Sequence, residues 1–422
     1  MLRYRGLSPD DYAVFDDQAQ PLAAWTESTV AIRQTAMRSE SEGHLFPTDF
    51  PGFALIDAIR NASVAPLVLS AVNRYHPDLR DILAHGLGLA AAGGMPERTV
   101  RVRVARIRRE IDPEPHFALF DHAGSELERA RHVFLSLGHG PLRWPEACAE
   151  PEQRAGLTGV LFHAYEPKPD FDCSVMVIGS GMAAMTEWLN VLEAGGTVIA
   201  VRRGREIVEQ PLSAPRHIFG GPWLDRYHAL SAEDRMDVLR QNARGSFPGR
   251  HWLGPLPAAE RDGRLRKIVG TVVDVERHGD GVKVTLVGSD GSREKLQVGA
   301  VIAATGFRPG WQEQEVLVNL VRDYSLETRG PYLALEDDCT IPGLSQPGSI
   351  LSVAGVSAAW AYPGADSFSG LKYAARRFSA QAVPGVAPPR QIVNWWRALR
   401  AGWPPRPVRE RVQPGRQTCS TP

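Results

Sequence analysis

Residues 179–184 read Gly-Ser-Gly-Met-Ala-Ala. The spacing G-x-G-x-x-A suits the cradling of a pyrophosphate. Gly179 makes a tight turn, Gly181 lets backbone come close to the phosphates, and Ser180 lies between them. The small Ala184 lets a helix pack closely on a strand, with the helix N–H groups facing the anion. The frame gives the pattern its meaning. Residues 175–178 form a short continuous apolar run, as in a parallel strand covered on both faces. Residues 182–193 read as a helix stopped by Gly195-Gly196, and 197–201 as the next strand.

The end of that next strand chooses the nucleotide. Asp or Glu there would bind ribose hydroxyls, but the chain has Arg202 and Arg203, with Arg205 close by. Forked guanidinium groups suit the additional 2′-phosphate of NADP. Solvated surface arginines are the alternative in so Arg-rich a chain.

These residues need a scaffold, and 422 residues imply more than one domain. Hydrophobic content of 43% with 23% charged residues is that of a globular protein with a sizeable core. The formal net charge of +0 gives no global field for nucleic acid or an acidic membrane. Cys148, Cys173, Cys339 and Cys419 include no C-x-x-C pair, which argues against a dithiol centre, a zinc site or a disulfide framework. No apolar run reaches roughly 18 residues and no signal-peptide layout opens the chain, so a cytoplasmic protein without a metal is expected.

Residues 1–7 resemble a helix end closed by Gly6. Residues 12–16 read as a short strand ending in Asp16. In a dinucleotide-binding unit that acid would sit on a ribose hydroxyl, about 20 residues after a glycine loop. That loop and its strand are not in the sequence. Either the unit is truncated, or it has lost its phosphate cradle; Asp16 is otherwise a turn residue. Trp25 and the polar residues Ser39, Glu40, Ser41, Glu42 and His44 are candidates for the edge of a substrate or cofactor site, a solvated loop being the alternative.

Residues 56–91 look helical, with a break at Pro77. Val100, Val102 and Val104 alternate with Arg101 and Arg103 as a half-buried strand. A meander continues through 117–120 and 132–137 to Gly138-His139-Gly140-Pro141. The second half repeats the scheme. Strands at 272–275 and 282–286 turn at Gly279-Asp280-Gly281. The apolar run 301–304 then leads into Thr305-Gly306-Phe307-Arg308-Pro309. Gly138 and Gly306 thus hold equivalent places in two dinucleotide-binding units.

With these motifs the chain resembles the two-dinucleotide-binding-domain flavoproteins, and among them the class B flavin and N-hydroxylating monooxygenases. Residues 301–309 are similar to that family's A-T-G-[FY] motif. Gly159 and His163, with Tyr165, resemble its F-x-G-x-x-x-H-x-x-x-[FY] fingerprint, although Leu157 and Pro167 stand at the two aromatic positions. Residues 363–373, with Gly364 and Asp366, are similar to its last flavin-facing segment, where a helix N-terminus points at the ring and stabilises charge on the reduced flavin. An ordinary capped helix there is compatible with that role.

The resemblance implies an α/β fold of two Rossmann-like, three-layer ββα domains, the NADP domain inserted in the FAD domain. The domains would be 1–150 (FAD, first part), 151–310 (NADPH), 311–385 (FAD, return) and 386–422, the last a short helix at 394–400 and a disordered tail. It implies FAD and NADPH as cofactors, with Asp16, Trp25, Gly138, His163, Gly179, Ser180, Gly181, Ala184, Arg202, Arg203, Thr305, Gly306, Gly364 and Asp366 at their sites. It also implies a C4a-hydroperoxyflavin that oxygenates a small nitrogen- or sulfur-containing substrate. No side-chain general acid, base or nucleophile stands out. The competing readings are a reductase without oxygenation and a non-catalytic remnant without FAD.

Overall fold

The computed structural model describes residues 2–18, 20–37, 53–71, 75–204, 208–209, 221–242, 246–247, 254–386 and 416–417. Arg205, the loop at 39–44, the helix at 394–400 and the tail beyond Pro404 (apart from 416–417) lie outside the described residues.

The described residues form two α/β units. The first contains β1 (Val14–Phe15), α1 (Ala23–Ala31), α2 (Phe53–Arg60), α3 (Ala65–Ala71), α4 (Leu79–Gly93) and β2 (Thr99–Val100). Its meander is β3 (Arg106–Glu110), β4 (His116–Phe120) and β5 (Glu126–Ala130), followed by β6 (His132–Leu135). The second unit opens with α5 (Pro151–Ala155), β7 (Leu161–His163), β8 (Asp170–Phe171), β9 (Ser174–Ile178), α6 (Met182–Glu193) and β10 (Thr197–Arg202). Next come β11 (Val208–Glu209), then α7 (Gly221–His228) and α8 (Ala232–Asn242), which pack on the first unit's core, then β12 (Ser246–Phe247) and α9 (Leu256–Arg261). A second meander, β13 (Leu265–His278), β14 (Gly281–Gly288) and β15 (Arg293–Val298), leads to β16 (Ala300–Ala303). The chain closes with α10 (Glu315–Tyr324), β17 (Thr328–Arg329), β18 (Tyr332–Leu333), β19 (Ile350–Val353), α11 (Phe368–Ala382) and β20 (Arg416–Gln417).

The second unit is built on a seven-stranded sheet, ordered β15-β14-β13-β10-β9-β16-β7. Its central β9 runs parallel to β10 on one side and β16 on the other. Val175 and Val177 pack with Ala184, Trp188 and Val191 of α6. Met176 and Ile178 pack the other way, with Val272, Val284 and Leu286 of the meander. Covering on both faces is why β9 is apolar throughout rather than alternating. Burying each large side chain contributes about 1.5–3 kcal/mol. The long β13 starts parallel to β10 and ends antiparallel to β14, so one strand belongs to both layers.

The first unit repeats this plan in shorter pieces. β1 pairs with β2 and β6 with β19, both in parallel, as β10 pairs with β13 and β16 with β7. In the second unit β9 lies between β10 and β16; among the described residues no strand pairs with the corresponding edges of β1 and β6. Because β19 follows the second unit in sequence yet completes the first, the second unit is an insertion. Leu351 and Val353 join Phe117, Leu119, Val133, Leu135, Leu317 and Leu320 in the core there.

Two strands are shorter than their sequence patterns predict. The strand expected at 12–16 is reduced to β1. The Val100–Val102–Val104 alternation gives only β2, followed by irregular chain up to β3. There the Val102 N–H donates back to the Val100 carbonyl at 2.9 Å, a tight turn that re-aims the chain into the meander. The same passage in β13 is made by a shift of register between Val272 and Asp274, which keeps the strand continuous. The helical stretch is divided into α2, α3 and α4, and α4 starts after Pro77 with Asp78 capping the Arg80 N–H.

The units are fastened by a buried ion pair. Lys168 Nζ lies 3.0 Å from Glu187 Oε1 on α6, and it also donates to the Ala31 carbonyl of α1 at 2.9 Å. Asn190 of α6 donates to the Ile32 carbonyl at 3.1 Å, and Arg33 pairs with Asp170. Among the described residues, no helix is long and apolar enough to cross a membrane.

Candidate functional site

The glycine loop sits where the order of the parallel sheet demands it, at the carboxyl end of β9. Gly179 has φ 146°, and a Cβ there would drive into the Ala304 carbonyl. Only glycine combines that conformation with that approach. Gly181 is the N-cap of α6 and supplies no side-chain cap, while the helix has no acidic residue in its first turn. The helix therefore presents its first N–H groups and positive dipole end with no acid of its own first turn to meet them. Ser180 is half-buried in the turn, and Ala184 is buried against the sheet.

Arg202 ends β10 beside this loop. Its Nε and Nη1 are buried and, among the described residues, have no hydrogen-bond partner. Leaving buried donors without acceptors costs about 1–3 kcal/mol, and more for a charged group. A phosphate would supply those acceptors in forked geometry. Arg203, next to it, is exposed. The residues thus fit a dinucleotide carrying an additional phosphate.

A third arginine carries no signal in the sequence. Arg143 donates from Nε to the Thr305 carbonyl at 3.0 Å, and its N–H donates to the Gly306 carbonyl at 2.9 Å. The Thr305 hydroxyl donates back to the Arg143 carbonyl. Desolvation first, and Arg203 second, lower the pKa of the Arg143 guanidinium. No motif marks Arg143; only its place just after Gly138-His139-Gly140 sets it apart.

Gly138 and Gly306 both have positive φ, 69° and 75°, and their turns meet. His139 stacks on Phe307 with ring centroids 4.6 Å apart, and Phe307 stacks on Tyr165 at 4.8 Å. His163 lies behind this ladder and plays a different part from the cofactor contact its motif implies. It is buried; its Nδ1 accepts from the Tyr165 N–H at 3.3 Å, so Nε2 carries the proton and donates to the Arg143 carbonyl at 3.3 Å. Both ring nitrogens are used by backbone, and burial pushes the imidazole down to about 4. His163 is a neutral post that ties 143 to 165.

The return segment brings a second group together. Asp366 is exposed, and desolvation by the surrounding protein raises its pKa, with His139 opposing the shift. His139 is likewise exposed, its pKa lowered by desolvation and raised by Asp366. Behind Asp366, Ser367 caps α11 by accepting from the Gly370 N–H at 3.2 Å. Gly364 is buried, and a Cβ on Gly370 would collide with the Gly364 carbonyl. Trp25 meets Phe368, the first residue of α11, edge-on at 5.5 Å. Trp25, His139, Gly364 and Asp366 are thus gathered around one helix N-terminus. Asp16 stands apart: its carboxylate accepts from the Gln18 N–H at 2.9 Å, a local turn.

For FAD the fit is partial. The N-terminus of α11 offers a positive dipole end for the ring, with no acidic residue in its first turn, but among the described residues the first unit has no strand-to-helix glycine turn for the phosphates. Its one G-x-G-x-x-A string, residues 86–91, lies inside α4.

The structure is similar to solved N-hydroxylating enzymes along nearly its whole length. Ornithine N-hydroxylase from Kutzneria sp. 744, solved with reduced FAD, NADP+ and L-ornithine, superposes with a TM-score of 0.64 at 16% identity, covering 89% of this chain and 92% of that one. Ornithine hydroxylase from Pseudomonas aeruginosa gives 0.62 at 15% identity, covering 88% and 91%. L-Lysine 6-monooxygenase from Pseudomonas syringae gives 0.59 at 18% identity, covering 88% and 90%. At such identities the likeness shows the fold, that of the two-dinucleotide-binding-domain flavoproteins. No family model matches the chain, and no curated protein matches it by sequence.

Proposed function

We propose that the chain is an NADPH- and FAD-dependent oxidoreductase that hydroxylates a small amine, with a small sulfur compound as the next substrate class. The carrying observation is Arg202, whose buried Nε and Nη1 lack an acceptor among the described residues, at the strand end beside a helix with no side-chain cap. That arrangement supports a dinucleotide with a 2′-phosphate. The neighbours just described support the rest: by name they act on ornithine and lysine, so these are the first substrates to try.

Bound FAD would supply hydride acceptance and oxygen activation. The chain's own share is positioning. The α6 N-terminus and the arginines would hold the nucleotide phosphates, and the positive end of α11 would meet the flavin ring. The stacked turns at His139 and Phe307 join the two units.

A flavoprotein reductase without oxygenation is the second reading. A dithiol relay is poorly served here. Cys148 and Cys339 are buried and free, and desolvation pushes their thiols up to about 11 and about 12, far from the reactive thiolate range. Free thiols also favour a reducing compartment, and we assign the enzyme to the cytoplasm. The test is the absorption spectrum of protein loaded with FAD, followed by oxidation rates with NADPH and NADH in the presence of ornithine or lysine. Retained flavin and faster NADPH oxidation support the proposal. A colourless protein that consumes neither nucleotide overturns it.

A further inference from the structure

The segment that ends the first unit reaches over to the second unit's glycine loop. We propose that Arg143 is a ligand of the dinucleotide pyrophosphate, supplied from outside the unit that carries the G-x-G-x-x-A loop. The role rests on the nucleotide reading above.

The position of Arg143 is fixed by backbone. Its N–H donates to the Gly306 carbonyl at 2.9 Å, and the Arg308 N–H donates to the Pro141 carbonyl at 2.8 Å. Residues 141–143 are therefore stitched along the turn that follows β16. The carbonyl of Ala304, at the start of that turn, fills the space that a side chain on Gly179 would need. Since the strand order is β10-β9-β16, Arg143 stands on the β16 side of the loop, and Arg202 and Arg203 stand on the β10 side.

The guanidinium is only partly spent. Nε donates to the Thr305 carbonyl at 3.0 Å, and among the described residues nothing accepts from its two terminal nitrogens. Arg203 is close enough to depress the Arg143 pKa, so two like charges approach over the loop. Among the described residues none of the three arginines forms an ion pair with a carboxylate. Two guanidinium groups that approach one another favour an anion between them. Arg202, with its buried nitrogens lacking acceptors, points independently to an anion that arrives with the ligand. A pyrophosphate lying over Gly179–Gly181 would come between the two sides and meet the terminal nitrogens of Arg143.

The test is direct binding of NADP+, NAD+ and 2′-AMP to full-length wild type, Arg143→Gln, Arg143→Lys and Arg202→Gln, with thermal melting to show that each variant is folded. Arg143→Gln is expected to weaken NADP+ and NAD+ equally, about 10-fold, and to leave 2′-AMP unchanged, because 2′-AMP has no pyrophosphate. Arg143→Lys keeps the charge without the fork and should lose less. Arg202→Gln should weaken NADP+ and 2′-AMP and spare NAD+. Arg143→Gln binding like wild type, or losing NADP+ and 2′-AMP alone, or Arg143→Lys losing more than Arg143→Gln, overturns the assignment. Wild type that binds none of the three probes overturns the nucleotide reading itself, and this assignment with it.

Discussion

Phe307 stacks on His139 with their planes 12° apart, joining the glycine turn of one repeat to the glycine turn of the other. Each residue follows a glycine of positive φ, Gly306 or Gly138. The turns leave the sheet at corresponding points, and the stack is where the two units meet in register. An aromatic pair of this kind is worth about 0.5–1.5 kcal/mol beyond its buried area. A double-mutant cycle of Phe307→Leu and His139→Ala, read from urea unfolding, should give a coupling energy of about 1 kcal/mol. A coupling of zero would show that the rings merely lie together.

The selectivity of the nucleotide site should be carried by Arg202. Replacing it with Ala removes charge-assisted bonds worth about 1.5–3 kcal/mol, seen as a higher apparent KM for NADPH, with NADH little changed. Steady-state rates with both nucleotides measure this. Equal losses for the two would assign Arg202 to the fold.

The Lys168–Glu187 pair should be costly to break and cheap to replace. Desolvation pushes Lys168 down and Glu187 up, and their mutual attraction opposes both shifts. Glu187→Gln strands a buried ammonium and should cost about 3–5 kcal/mol, whereas Lys168→Met with Glu187→Leu should recover most of that loss. Urea midpoints of the three proteins test it. A double variant no more stable than Glu187→Gln would show that the hydrogen bonds from Lys168 to α1 matter more than the pairing.

Stability should fall with acid before the carboxylates titrate. His163 is held down to about 4 against an ordinary 6.5. Above pH 6.5 it is neutral in both states and the full stability is present. Between 6.5 and about 4 only the unfolded chain takes up the proton, and about 3 kcal/mol is lost. His85, also pushed down to about 4 by desolvation, adds a slope of the same sign. His163→Asn should flatten the unfolding free energy against pH over this window. An unchanged slope would mean that His163 charges without penalty.

What the sequence disclosed follows from how local each cause is. The β9-loop-α6-β10 segment was readable because a doubly covered strand is apolar throughout and its glycine turn is contiguous. The string at 86–91 has the same glycine spacing but is wholly helical, so the pattern means nothing without a strand before it. The repeat was visible in Gly138 and Gly306, and the insertion in the return of the chain at residues 363–373. Arg143 was not readable, because its neighbours Thr305 and Arg203 are far away in sequence and an exposed arginine leaves no periodicity. His163 was found by its motif, but its role was not. The fingerprint marks a place, while burial and two backbone partners decide what the ring does there. Trp25 could be named, but its meeting with Phe368 depends on how α1 docks against α11.

The proposal is tested most directly by the stoichiometry of NADPH oxidation in FAD-loaded protein given ornithine or lysine in aerated buffer. The account predicts hydroxylated amine close to one per NADPH consumed, identified by a mass increase of one oxygen. Hydrogen peroxide as the sole product, with neither amine altered, would contradict oxygenation and leave the reductase.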